Sequence, residues 1–285
     1  MIITPQCGGK VEAIMSLKNR LITYMKDDWQ FPMGIDADAL ADEMKEALAS
    51  VDGILRDRLV LNGFGKLIES GNVSDEKCRS IFDELISDKY LLKGLGKECD
   101  DSVFGRAFSG YAILSFLEYS EGKDEKIFTE ADHLQAFHAV LKCFNEEKDL
   151  RGFVDGRGWA HSIAHNADCL AEFVSSGKLG HKQHMDLLLS IKRRIFQGHS
   201  AVISEYDRIL GPVLGILDGG IITEQEFADW LDNICTYEKT ESPEENARHI
   251  MSRCEFMIFL RYRVEEKHPQ LTPFVLDGMI KLMKM

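Results

Sequence analysis

The stretch Thr223-Glu224-Gln225-Glu226-Phe227-Ala228-Asp229-Trp230-Leu231-Asp232-Asn233-Ile234, followed by Ser242-Pro243-Glu244-Glu245, decides the fold class. Thr223 and Glu226 stand at the spacing where a threonine and an acidic side chain each cap the other's backbone N–H at a helix start. Phe227, Trp230 and Ile234 then recur with the helical period, so one face of that helix is apolar. Ser242 opens the next helix with the same cap, and Pro243 takes the first helical position, where a missing N–H costs nothing. Two capped helices in succession, joined by a short polar link, are the mark of a chain built from helical hairpins.

Outward from this unit the pattern repeats. "A" helices are expected to start near positions 53, 103, 157, 205 and 243, and "B" helices near 75, 130, 181, 224 and 273. The B helices carry the core stripes Ile81/Phe82/Leu85, Leu134/Phe137/Leu141, Leu188/Ile191/Ile195, Phe227/Trp230/Ile234 and Leu276/Ile280/Met283. Thr129 with Asp132 is a further capping pair, and Thr272-Pro273 opens the last helix. Before them, Ile14/Leu17/Leu21/Tyr24 and Leu40/Met44/Leu48 form an N-terminal helix pair, broken by Phe31-Pro32-Met33-Gly34. The expected fold is all-α: one domain over 1–285, with a capping pair over 1–50 and five hairpins over 51–285. Hairpin units of roughly 40 to 50 residues predict an α-solenoid of the HEAT or armadillo kind. Closure of the hairpins into an α/α toroid is the alternative.

Composition removes several function classes. The 285 residues carry 34 basic and 47 acidic side chains, a net charge of -13. Nucleic acid needs a basic field, so neither nucleic acid nor an anionic membrane is an expected partner. The one basic run, Lys192-Arg193-Arg194, reads as a solvated helix face. Seven cysteines, odd in number and without a CxxC pair, argue against a zinc ribbon and against a disulfide framework. The start, MIITPQCGGK, lacks the pattern of a secretory signal, and the longest apolar run, Phe256 to Leu260, is far short of the about 20 residues that span a bilayer. A cytoplasmic location is expected. No G-x-S-x-G, P-loop or Rossmann glycine pattern occurs, and Gly63-Phe64-Gly65 reads as a close-packing site within a helix.

The B-to-A connections hold the unusual residues. Stacking brings them along one rim, where Arg106, Arg151, Arg157, Glu205, Asp207 and Arg208 are expected to collect. Two readings stand side by side. In one, ion pairs set the register between repeats. In the other, arginines hold a carboxylate or phosphate in bidentate fashion.

The third A helix, read from Gly158 to Phe173, is the most informative segment. Trp159, Ile163, Ala167, Leu170 and Val174 share an apolar arc, and Ala160, Ala164 and Ala171 let neighbours approach closely. His161, His165, Asp168 and Glu172 fall within about 60° on the other side. His161 and His165 have the spacing of two metal ligands on one helix, with Asp168 as a third, so zinc is the implied cofactor of that reading. Ser162 stands where a zinc protease carries its glutamate base, so a protease is not implied. A solvated face and a metal-free ligand wall are the other readings. His133, His138, His181 and His184 read as surface or capping residues.

Four segments occur in order: Phe104-Gly105-Arg106-Ala107-Phe108-Ser109, Asp149-Leu150-Arg151-Gly152, Gly158-Trp159-Ala160-His161-Ser162-Ile163-Ala164-His165-Asn166-Ala167-Asp168, and Glu205-Tyr206-Asp207-Arg208. The series resembles the bacterial family known as domain of unknown function 2785, over roughly residues 50 to 260. The resemblance implies a helical, HEAT-like fold and no activity. Together these readings predict a binding or scaffold module. Its pocket, lined by Arg106, Arg151, Arg157, Trp159, His161, His165, Asp168, Glu205, Asp207 and Arg208, would take a small polar or anionic ligand or a protein segment. A metal-dependent hydrolase using His161, His165 and Asp168, and a toroidal carbohydrate enzyme with paired carboxylates, are the alternatives.

Overall fold

A computed structural model describes residues 6–196, 204–236 and 239–284, the side chains of 6–15 and 204 excepted. The expected side chain of Ile14 therefore lies outside the described residues. Helix α1 (Gln6–Lys26) and α2 (Ala37–Ala47) form the N-terminal pair. A π-helical segment (Ile54–Val60) runs into α3 (Leu61–Glu69), and α4 (Asp75–Leu85) returns. The later pairs are α5 (Ser102–Glu121) with α6 (Glu130–Glu146), α7 (Ser162–Ser175) with α8 (His181–Phe196), and α9 (Ser204–Asp218) with α10 (Glu224–Cys235). The last pair is α11 (Pro243–Lys267) with α12 (Thr272–Met283). The one sheet among the described residues is a short antiparallel hairpin of β1 (Phe153–Val154) and β2 (Gly158–Trp159) ahead of α7.

The fold is all-α, and the capping pattern explains where the helices begin. Thr129/Asp132 and Thr223/Glu226 each make both hydrogen bonds of a capping box. Ser242 accepts from the Glu245 N–H, with Pro243 at the first helical position. Helices α3, α5, α7, α9 and α11 pack each on the next, and α4, α6 and α8 each pack on the helix that follows them, α5, α7 and α9. One continuous apolar core runs from Leu17 to Leu282. Among the described residues no helix is long and apolar enough to cross a membrane.

Three expectations are corrected. The third A helix begins at Ser162 rather than near 157, because positive φ at Gly156 and Gly158 turns the chain into the β hairpin first. The stripe Leu276/Ile280/Met283 faces outward; α12 buries Val275, Gly278 and Leu282 instead, since a terminal helix has neighbours on only one side. Arg194 is buried rather than solvated, and donates to the Glu147 and Phe144 carbonyls at the end of α6.

Close helix approach depends on small residues. A side chain at Gly63 would collide with the Trp29 ring, and Gly211 of α9 meets Ala171 of α7. At Gly110 of α5 an added Cβ would lie 2.8 Å from Sγ of the buried Cys169 on α7. Gly110→Ala is therefore expected to destabilise the fold by about 1–3 kcal/mol in chemical denaturation, the usual cost of overpacking. Adding Cys169→Ala should recover part of that loss; strictly additive effects would mean that this contact does not set the α5–α7 spacing.

Candidate functional site

The rim arginines are spoken for. Arg106 is fully buried, and its Nε and Nη2 donate to Glu147 at 2.7 and 2.9 Å. Its Nη1 donates to the Lys93 carbonyl and to Ser102 Oγ. Arg151 donates to Asp149 and to the Asp100 carbonyl, and Arg157 pairs with Asp101. These bonds tie the α4–α5 connection to the α6–α7 connection, as the ion-pair reading expected. Asp207 accepts a two-pronged contact from Arg263 at 2.9 and 2.7 Å, which fastens α9 to α11.

A residue that sequence reading missed builds the pocket. Arg56, in the π-helical segment, is fully buried with its guanidinium 4.1 Å from the Phe104 ring centre and 4.8 Å from that of Phe108. It donates to the carbonyls of Ser50 (2.6 Å), Arg157 (2.9 Å) and Trp159 (3.0 Å), so it pins the β hairpin onto the start of α3. Its Nε lies 2.7 Å from Asp57 Oδ1, a charge contact outside hydrogen-bond alignment. Burial pushes the Asp57 carboxyl pKa up, and the Arg56 charge and the Trp159 N–H only partly restrain it. Glycine is required at 158: φ is +79°, and a Cβ there would sit 3.0 Å from Asp57 Oδ2.

The pinned hairpin delivers Trp159 and His161. Trp159 is 42% exposed rather than part of a buried arc, because it belongs to β2. Its ring stacks on His161 with centroids 4.3 Å apart, and Phe153 meets its edge. His161 precedes α7 in the left-handed region, φ +46°, a conformation that strains a non-glycine residue. Its Nδ1 donates to Glu205 Oε1 at 2.6 Å, and both side chains are buried. One turn on, His165 is only 8% exposed and packs against Phe108 and Tyr111. Its Nδ1 donates to the Ala107 carbonyl at 3.3 Å. Burial, then the charges of Arg208 and His161, push the His165 pKa down to about 3, so the ring is neutral at neutral pH. The other ring nitrogen, Nε2, of each histidine has no hydrogen bond among the described residues.

Asp57, Leu61, Phe108, Trp159, His161, His165 and Arg208 line one depression of about 250 Å³. Of the residues expected from sequence, Trp159, His161, His165 and Arg208 thus converge, with Glu205 behind His161. Arg106, Arg151, Arg157 and Asp207 do not line it. Asp168 faces the next depression along α7, where Tyr111 donates to it at 2.6 Å and Arg208 through Nε and Nη2. Burial works against the Arg208 charge, but Asp168 and Tyr111 outweigh it and raise its pKa. With its oxygens engaged in this way, Asp168 does not complete a site with the two histidines. Among the described residues no three His, Cys, Asp or Glu side chains converge as a metal site requires. His133 and His184 are buried, not superficial; His184 Nδ1 donates to the Gly180 carbonyl.

These features define an all-helical protein with a compact, histidine-walled depression at the base of its only β hairpin among the described residues. The family model described as "Protein of unknown function (DUF2785)" matches residues 91–263, more than half of the chain, and the protein belongs to that family. No curated protein and no solved structure matches it.

The buried neutral His165 makes stability pH-dependent. Unfolded, the ring titrates near its ordinary 6.5; folded, near 3. The unfolded chain therefore binds the extra proton, and stability falls as pH drops below 6.5, by about 3 kcal/mol at pH 4 from this group. His165→Gln is expected to lose less stability than the native chain between pH 7 and pH 4 in urea titrations. Parallel acid sensitivity of the two would contradict the assignment.

Proposed function

We propose that this chain is an open stack of helical hairpins, HEAT-like in plan, and that it works as a binding protein for a small polar molecule. The row α3, α5, α7, α9, α11, each packed on the next, supports an open stack over a closed ring. The six described cysteines are free thiols, which supports a reducing cytoplasm. The site we assign is the depression walled by His161 and His165. Its volume of about 250 Å³ suits a compact metabolite, being just below the range of drug-sized pockets.

The observation that carries this reading is His165. Its ring is more than nine-tenths buried and neutral, held by one nitrogen, with the other left for whatever enters the depression. A residue serving the core alone is better replaced by an apolar one, since a polar group with an unmet hydrogen bond costs stability.

A thermal-shift screen against small metabolites tests it. Some compounds are expected to raise the Tm of the native protein while leaving Trp159→Ala and His165→Ala unshifted, both variants keeping the native helical circular dichroism. Shifts of equal size in all three proteins would sink the assignment. A second reading, catalysis, rests on Glu205, which accepts from His161 as a carboxylate that orients a general base does. Recovery of the compound unchanged after incubation favours binding; conversion that is lost in His161→Gln favours catalysis.

A further inference from the structure

The polar atoms that the depression leaves for a ligand are acceptors. Ala107 takes the proton side of His165, so the Nε2 atom of that neutral ring offers a lone pair. Glu205 engages Nδ1 of His161, whose ring closes the other side of the depression. Asp57 adds a carboxylate. The one cation in the wall, Arg208, already holds Asp168 and Tyr111. Arg56 is balanced by Asp57 and Arg208 by Asp168.

A second depression, of about 490 Å³, shares Leu61 with the first and continues along α5 and α7 past Leu114 to Glu118 and Glu172. Neither glutamate has a cation partner among the described residues. Burial, then the carboxylates of Glu172 and Glu69, push the Glu118 pKa up, as expected where like charges meet without compensation. Seven residues separate His165 from Glu172 on α7, which at the helical rise is about 10 Å.

We infer that the ligand is a linear organic cation with an amine at each end, of polyamine type, rather than the anion that a cluster of arginines suggests. One ammonium group donates to His165 Nε2 and Asp57. The chain between the two ends, which in spermidine carries a third amine, runs past Leu61, Leu114, Ser115 and Asp168. The far ammonium sits between Glu118 and Glu172. This inference rests on the assignment of the histidine-walled depression as the ligand site.

Isothermal titration in 150 mM salt, with spermidine, putrescine, citrate and inorganic phosphate as probes, tests it. Spermidine is expected to bind one per chain and to weaken about tenfold or more in His165→Ala, the loss of one hydrogen bond to a charged group. It should weaken similarly in a Glu118→Gln/Glu172→Gln double variant, whose folding is checked by circular dichroism. Putrescine, too short to span the two depressions, should bind more weakly and ignore the double variant. Binding of citrate or phosphate that is lost in His165→Ala would overturn the cation proposal and leave the site standing. Spermidine binding unchanged in every variant would be non-specific attraction to an acidic protein, and would overturn the proposal. No binding by any probe, together with screening hits indifferent to His165, would remove the site as well.

Discussion

The guanidinium of Arg56 is the constraint on which the pocket depends. It is a permanent charge with no exposed surface, and such a group is tolerated only when its donors are met. Three backbone carbonyls, from residues 50, 157 and 159, take its Nη donors, Asp57 lies in charge contact with its Nε, and Phe104 and Phe108 cover its faces. Two of those carbonyls lie about a hundred residues away in sequence. Satisfying one side chain therefore fixes the β hairpin against the π-helical segment. That in turn sets Trp159, the left-handed turn at His161, and the entry of α7. Arg56, Asp57 and Leu61 lie before the segment matched by the family model, whereas Trp159, His161, His165 and Arg208 lie inside it.

Charge in this protein is divided between two tasks. Arg106 with Glu147, Arg151 with Asp149, and Asp207 with Arg263 hold connections and helices in register. Burying such pairs is costly, and they persist where geometry and added hydrogen bonds are good; Glu147 also accepts from the N–H groups of Lys148 and Asp149. Glu118 and Glu172, which have no cation partner among the described residues, lie along the α5–α7 face. The net charge of -13 works in the same direction, raising the local concentration of cations near that face.

Much of the fold was legible in the sequence. Capping pairs at Thr129 and Thr223 and the apolar period placed most helix starts within a residue or so, because both signals are local. The A3 start was missed: Gly156 and Gly158 were visible, but a turn into a hairpin is stable only through Arg56, a distant partner. The segment around Arg56 was expected only as the start of an A helix near 53, and the π-helical turn that buries its side chain leaves no periodic mark. Arginines on the rim were found, yet their partners decided their meaning, and only Arg208 reached the pocket. The rings of His161 and His165 lie 6.2 Å apart, although His161 stands before the helix rather than on it.

The most direct test of the pocket is long-range nitrogen–proton NMR on the two imidazoles. His165 is predicted to be neutral at pH 7 with its proton on Nδ1, and its Nε2 resonance should move when spermidine is added. A His165 that titrates near 6.5, or an Nε2 signal untouched while spermidine binds, would contradict the account.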